Sequence, residues 1–113
     1  MKAAILILFL SLSGSIFSQN RLTGDLRNDQ RKIKEDIEYI INYRKEGRIT
    51  VDIVVNIDGK VTSAIINEKH TNVLSTPMHI EAKNRAKNLK FESCYHCPKF
   101  HNGSVVFMVK EEE

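Results

Sequence analysis

Apolar side chains alternate with polar ones over the segment GRITVDIVVNIDGKV in the middle of the chain. From Ile49 to Ile57 every second residue is apolar, which predicts a strand with one buried face. Asn56 then suits the first position of a type I turn, and Gly59 can adopt the left-handed conformation of a hairpin bulge. We therefore predict a β-hairpin whose second strand begins near Val61.

The turn also predicts how the two hairpin strands pair. Val55 faces Val61 and Val51 faces Ile65, so that apolar side chains meet on the inner face. The outer face then carries Val54, Ala64 and Ile66.

Two segments have helical spacing. Asp25 to Glu46 places an apolar residue every three or four positions between charged ones, and Gly47 can end the helix. A second helix begins near Thr76, with Pro77 in the first turn, where its missing N–H costs nothing. The apolar residues of these helices are Leu26, Ile33, Ile37, Ile40, Ile41, Met78, Ala82, Ala86 and Leu89.

The last element is an alternating strand from Ser104 to Lys110 with Val105, Phe107 and Val109 on one face. The predicted order is helix, strand, strand, helix, strand. Because each strand has one apolar face, we predict an α+β fold in which two helices pack on one face of a small antiparallel sheet, made of the hairpin and the C-terminal strand.

The first 18 residues have the layout of a secretory signal peptide. A positive start at Lys2 precedes the apolar run Ala3 to Leu12 and a set of small residues ending at Ser18. A membrane-spanning helix needs roughly 20 apolar residues, and this run is shorter. We therefore expect cleavage after Ser18 and no stable membrane insertion afterwards, with residues 19–46 forming the N-terminal helical segment and 47–113 the domain.

Charge excludes one class of partner. The chain has 17 Lys and Arg against 14 Asp and Glu, a net charge of +3, and these charges are scattered along the sequence. A nucleic-acid surface needs a basic stripe interleaved with aromatic residues. We therefore expect no nucleic-acid partner. No catalytic constellation emerges from the sequence, so we expect neither an enzyme nor a cofactor.

The residues from about Gly47 to Lys110 resemble the C-terminal domain of TonB. The resemblance rests on the stretch GRITVDIVVNIDGKVTSAII, on a helix ending AKNRAKNLKF and on the final short strand. The matching positions are Gly47, Asp58, Gly59, Val61, Ala82, Ala86, Leu89 and Phe91.

This resemblance implies a periplasmic or secreted binding module, anchored to the inner membrane only if residues 1–18 stay uncleaved. TonB-like domains bind a peptide segment of outer-membrane transporters as an extra strand on the sheet edge. The final strand is the candidate edge, and a homodimer through that edge is an alternative. The candidate partner-binding residues are Ser104, Val105, Val106, Phe107, Met108, Val109 and Lys110.

We do not expect a complete energy transducer. Such a protein carries an uncleaved anchor and a long proline-rich arm across the periplasm. The residues between Ser18 and Gly47 reach at most about 100 Å even when fully extended.

The segment SCYHCPKFH, from Ser93 to His101, holds both cysteines of the chain. Oxidation in an exported compartment favours a disulfide between Cys94 and Cys97. Their spacing also suits a zinc knuckle completed by His96 or His101, although a structural zinc site commonly uses two separated ligand pairs. The CYHC spacing is also that of an active dithiol. A thiol-active or metal-binding secreted protein centred on this loop is therefore the alternative function.

Overall fold

The computed structural model describes residues 21–111, so the predicted signal segment 1–18 lies outside the described residues. The elements in chain order are β1 (Leu22–Thr23), α1 (Asp25–Asn28), β2 (Ile33–Glu35), β3 (Ile40–Tyr43), β4 (Gly47–Val55), β5 (Val61–Ile66), a 3-10 turn (Glu68–His70), α2 (Thr76–Asn88), β6 (Lys90–Phe91) and β7 (His101–Glu111). Within this range no helix is long and apolar enough to cross a membrane.

Strands β4 and β7 form the centre of the main sheet. They pair antiparallel from Gly47 opposite Val109 to Val55 opposite His101. The order of the sheet is β1–β7–β4–β5, and β3 pairs in parallel with the C-terminal half of β7. The alternation in the sequence is confirmed, because the inner residues of both strands are buried. They are Ile49, Val51, Ile53 and Val55 on β4 and Val105, Phe107 and Val109 on β7.

The hairpin turn forms as predicted, but its register changes one pair later. Val55 faces Val61 as expected, whereas a bulge leaves Thr62 without a partner. Val51 consequently faces Ile66, so the predicted pairing of Val51 with Ile65 is wrong. One inserted residue reverses the faces of the strand, because side chains alternate with a period of two.

The bulge therefore exchanges the inner and outer residues of β5 beyond Thr62, whereas Val61 stays buried. Ala64 and Ile66 pack against the core, and Ile65 is 64% exposed. The prediction that Ala64 and Ile66 lie on the outer face is wrong.

The second predicted helix is confirmed as α2, with Pro77 in its first turn. The helix begins at Thr76, and its N-cap Ser75 makes no side-chain capping hydrogen bond. The helix packs on the inner face of the sheet through small buried residues, Ala82 and Ala86, and ends at the buried Leu89. Small side chains let the helix approach the branched residues of the strands closely.

The helix predicted over Asp25 to Glu46 is wrong for most of its length. Only Asp25–Asn28 is helical, and Gln30 has a left-handed φ of 55° that ends the turn. The following residues form β2 and β3 instead. Most of their apolar residues are isoleucines, which favour strands, and pairing with β6 and β7 satisfies their backbone groups. The α+β class is nevertheless confirmed, with one substantial helix.

We predict that Gly59→Ala lowers the free energy of unfolding by at least about 2 kcal/mol. Gly59 has a φ of 93°, and an added Cβ would overlap the carbonyl oxygen of Phe91. Urea unfolding followed by circular dichroism measures the loss. Lys60→Ala, at the neighbouring exposed residue, is the control and should change stability by less than about 0.5 kcal/mol. Equal effects of the two substitutions would contradict this account of the turn.

Candidate functional site

The structure places the predicted partner-binding residues, Ser104 to Lys110, inside the sheet. One side of β7 pairs with β4. On the other side, β1 pairs with Ser104 and Val105, and β3 pairs with the residues from Met108 onward. The prediction that Ser104 to Lys110 form an open edge is therefore wrong. A partner strand can pair with them only if β1 or β3 leaves.

The residues directly before β1 and β3 complete the cover of β7. The amide of Val106 donates to the carbonyl of Arg21 at 2.9 Å, and the amide of Met108 donates to the carbonyl of Tyr39 at 2.9 Å. The Tyr39 ring also packs on Phe107, with ring centroids 6.1 Å apart. The N-terminal segment thus uses the backbone donors that an incoming peptide would need.

Arg85 of α2 holds the far side of this N-terminal segment. Its Nη1 donates to the carbonyl oxygens of Ile40 at 3.0 Å and Glu38 at 3.3 Å. Its Nε pairs with Glu81 one helical turn earlier at 2.9 Å. Because these carbonyls already accept hydrogen bonds, the outer side of β3 is a poor template for another strand.

The opposite end of the sheet is different, because β5 pairs on one side only within the described residues. The amide of Asn67 donates to Thr50 at 2.8 Å, which marks the hydrogen-bonded positions of the β4–β5 ladder. Since these positions alternate, Ser63 and Ile65 point their backbone groups at β4, and Ala64 and Ile66 point theirs away. These outward N–H and C=O groups have no hydrogen-bond partner among residues 21–111.

The unpaired stretch of β5 is bounded at both ends. Lys90 forms an isolated β-bridge with Lys60 at the turn end of β5, and the 3-10 turn begins soon after Ile66. We call residues 62–66 the open edge. Its outer face carries the exposed Ile65 beside Val54, above a depression of about 400 Å³ that extends to Ser104. The polar floor of the depression includes Asp52, which accepts a hydrogen bond from Ser104 Oγ at 2.6 Å.

The cysteine loop contains the predicted disulfide, between Cys94 and Cys97, with Cα atoms 5.4 Å apart. The His96 ring lies against it, with Nε2 at 3.6 Å and Nδ1 at 3.8 Å from Cys94 Sγ. The side chains of Tyr95 and Phe100 project from the loop and are 82% and 65% exposed. The structure thus brings His96, but not His101, to the cysteines.

His101 is instead buried at the start of β7, between two side chains of the N-terminal segment. Its Nδ1 lies 3.1 Å from Arg31 Nη1, and its Nε2 lies 2.8 Å from Asp29 Oδ2. Arginine has only donors, so Nδ1 accepts from Arg31 and the ring proton sits on Nε2, donating to Asp29. Both ring nitrogens are engaged, which excludes His101 as a ligand in this arrangement.

Arg31 links three segments of the chain. Its Nε and Nη2 donate to the carbonyl of Glu92 at 3.1 and 3.0 Å, and Nη2 also reaches the carbonyl of Asn56 at 3.0 Å. Burial lowers the pKa of the guanidinium below its usual value. The side chain therefore ties the N-terminal segment to the hairpin turn and to the base of the cysteine loop.

Neither Arg31 nor Asp29 is marked by a sequence motif. Both lie among the charged residues of the segment predicted as one long helix, and their partner His101 follows Arg31 by 70 positions. No short-range spacing marks such a group.

Comparison of the chain with protein-family models, with curated proteins and with solved structures gave no match. The resemblance to the TonB C-terminal domain therefore stays a prediction.

We predict that Arg31→Met lowers the free energy of unfolding by about 2–4 kcal/mol. The substitution leaves Nδ1 of the buried His101 without its donor and removes the part-buried hydrogen bonds to the carbonyl of Glu92. Urea unfolding measures the effect. Arg27→Ala, at an exposed arginine of α1, is the matched control and should cost less than about 0.5 kcal/mol. A similar loss in both variants would show that Arg31 is not a buried tie.

We predict that replacing both Cys94 and Cys97 by Ser costs at most about 2 kcal/mol. The disulfide closes a very short loop, so little chain entropy is lost from the unfolded state. Thermal unfolding under oxidising conditions compares this variant with the wild type. Loss of the folded state would mean that the disulfide, rather than Arg31 and the strands, holds this part of the fold.

Proposed function

We propose that this chain is an exported, non-enzymatic binding module that adds an extended segment of a partner protein to the open edge of β5. The observation that carries the proposal is the outward backbone of Ala64 and Ile66, whose N–H and C=O groups are unpaired among residues 21–111. An incoming strand satisfies such groups with main-chain hydrogen bonds, and its alternate side chains supply specificity.

The composition of β5 supports the same proposal. Edge strands of natural proteins are usually protected by charged residues, by proline or by a covering segment. The sequence of β5, VTSAII, contains neither a charged residue nor proline. Its bulge at Thr62 lies at the turn end and leaves the following four residues in regular pairing with β4.

The outer face beside this edge provides contacts for the side chains of the added strand. Ile65 is more exposed than the other isoleucines that point outward, and it adjoins Val54 and the depression above Asp52. A partner segment with apolar residues at alternate positions would cover Ile65. The resemblance to TonB suggests an outer-membrane transporter as the source of that segment.

The partner strand is thus placed at β5 rather than at β7, and it still binds through main-chain hydrogen bonds to a sheet edge. At β7 a partner must first displace β3 and the contacts that Tyr39 and Arg85 make with it. At β5 the backbone groups are free within the described residues, so nothing has to be broken. Binding at β5 therefore carries the smaller cost.

The test uses heptapeptides selected from a random phage-displayed library on the oxidised protein. We expect the selected peptide to perturb the backbone amide signals of Ala64 and Ile66 and to slow their hydrogen exchange. Ile65→Lys should weaken binding at least tenfold, because it places a charge on the covered face. Fluorescence anisotropy of the labelled peptide measures the affinity.

Met108→Lys is the matched control, since Met108 lies on the same outer face two strands away and is 38% exposed. It should leave the affinity unchanged. If Met108→Lys weakens binding and Ile65→Lys does not, the peptide binds at β7 and the proposal of β5 is wrong. If the amide changes arise without peptide as protein concentration increases, the open edge pairs with a second copy instead.

A further inference from the structure

Three metal-ligating side chains converge on the exposed cysteine loop. The ligand atoms of Cys94, His96 and Cys97 all lie within 4.8 Å of one another. Zinc binds sulfur at about 2.3 Å and imidazole nitrogen at about 2.0–2.1 Å, so a tetrahedral site separates sulfur from nitrogen by about 3.6 Å. The His96 nitrogens lie 3.6 and 3.8 Å from Cys94 Sγ. This pair already has the separation that a shared zinc ion requires.

We infer that the loop, once its disulfide is reduced, binds Zn²⁺ through Cys94 Sγ, Cys97 Sγ and one ring nitrogen of His96. Thiolate and imidazole ligands together favour thiophilic cations of this kind. The site is closed to metal while the two sulfurs are bonded to each other. Reduction therefore controls whether the ligands are present.

The chemistry balances with a thiol reductant. Two thiols of the reductant are oxidised to a disulfide and supply two electrons and two protons. The Cys94–Cys97 bond breaks and two S–H groups form. Zinc then replaces both thiol protons, which pass to solvent.

The backbone of the loop keeps the ligands together after reduction. The amide of Cys94 donates to the carbonyl of Ile57 at 2.9 Å, and the amide of Cys97 donates to the carbonyl of Cys94 at 3.3 Å. Neither hydrogen bond involves sulfur. With Cα atoms 5.4 Å apart, rotation of the side chains can bring the sulfurs to the separation of about 3.8 Å that tetrahedral zinc requires.

The fourth coordination position stays open. His101 cannot supply it, because Arg31 and Asp29 engage both of its ring nitrogens. Next to the three ligands lies a cavity of about 330 Å³, also lined by Arg31, Glu92 and Ser93. Three protein ligands with an open position differ from a four-ligand structural site, and they allow the ion to exchange. The loop is thus a reversible zinc site that opens on reduction.

The experiment titrates Zn²⁺ into metal-free protein in competition with a chromophoric chelator, with and without prior reduction by a phosphine. We expect one Zn²⁺ per chain in the reduced protein and none in the oxidised protein. His96→Asn should weaken binding at least tenfold, and Cys97→Ser should weaken it further. His70→Asn, at an exposed histidine distant in sequence from the loop, should leave the affinity unchanged.

Circular dichroism of each reduced variant verifies that it is folded. The inference is overturned if reduced, folded protein does not bind zinc or if His96→Asn binds as tightly as the wild type. It is also overturned if one ion binds two chains, since the site would then be intermolecular. Peptide binding at β5 is measured on oxidised, metal-free protein, so failure of either proposal leaves the other standing.

Discussion

The antiparallel ladder between β4 and β7 is the interaction on which the rest of the structure depends. It aligns Ile49 with Phe107 and Val51 with Val105, all of them buried. These partners are more than 50 positions apart, so the chain must close a long loop before their contacts stabilise it. Once formed, the ladder provides the apolar face for α2, one free side of β4 for β5 and one free side of β7 for the N-terminal segment.

One end of this ladder is held by a buried polar group as well as by apolar packing. At the pair of Val55 with His101, the side chains of Asp29 and Arg31 reach in from the N-terminal segment. No side-chain polar atom that is buried within the described range lacks a hydrogen-bond partner. Because Arg31 also bonds to the carbonyl of Glu92, the irregular loop that follows is tied to the core at its base. This tie allows the tip of the loop, with its cysteines, His96 and exposed aromatic residues, to stay accessible.

The two edges of the sheet differ in how far other segments cover them. On the β7 side, a segment of only four strand residues is held by Arg85 and by packing of Tyr39 on Phe107. On the β5 side, an uncharged strand without proline keeps its outward backbone groups unpaired within the described residues. An uncovered edge strand can pair with strands of other protein chains and cause aggregation. A binding role for β5 would account for that exposure.

The elements that sequence alone determined are those with a local signal. The alternation in β4 and β7, the turn at Gly59 and the proline-started helix α2 each follow from neighbouring residues, and the disulfide follows from two cysteines three positions apart. The prediction from local spacing was wrong for residues 25–46. Their isoleucines fit a helical period, yet backbone hydrogen bonds with β7 stabilise part of this segment as a strand more than packing stabilises it as a helix.

Only the tertiary structure decided where the open edge lies and which histidine meets the cysteines. A single bulge residue, Thr62, exchanged the faces of the residues that follow it in β5, and pairing with the N-terminal segment covered β7. His101 does not contact the cysteines, because its ring is hydrogen-bonded to Asp29 and Arg31, which lie some 70 positions earlier. Spacing along the chain reports which groups can meet nearby, whereas pairing between distant segments depends on which of them can satisfy each other's backbone and buried charges.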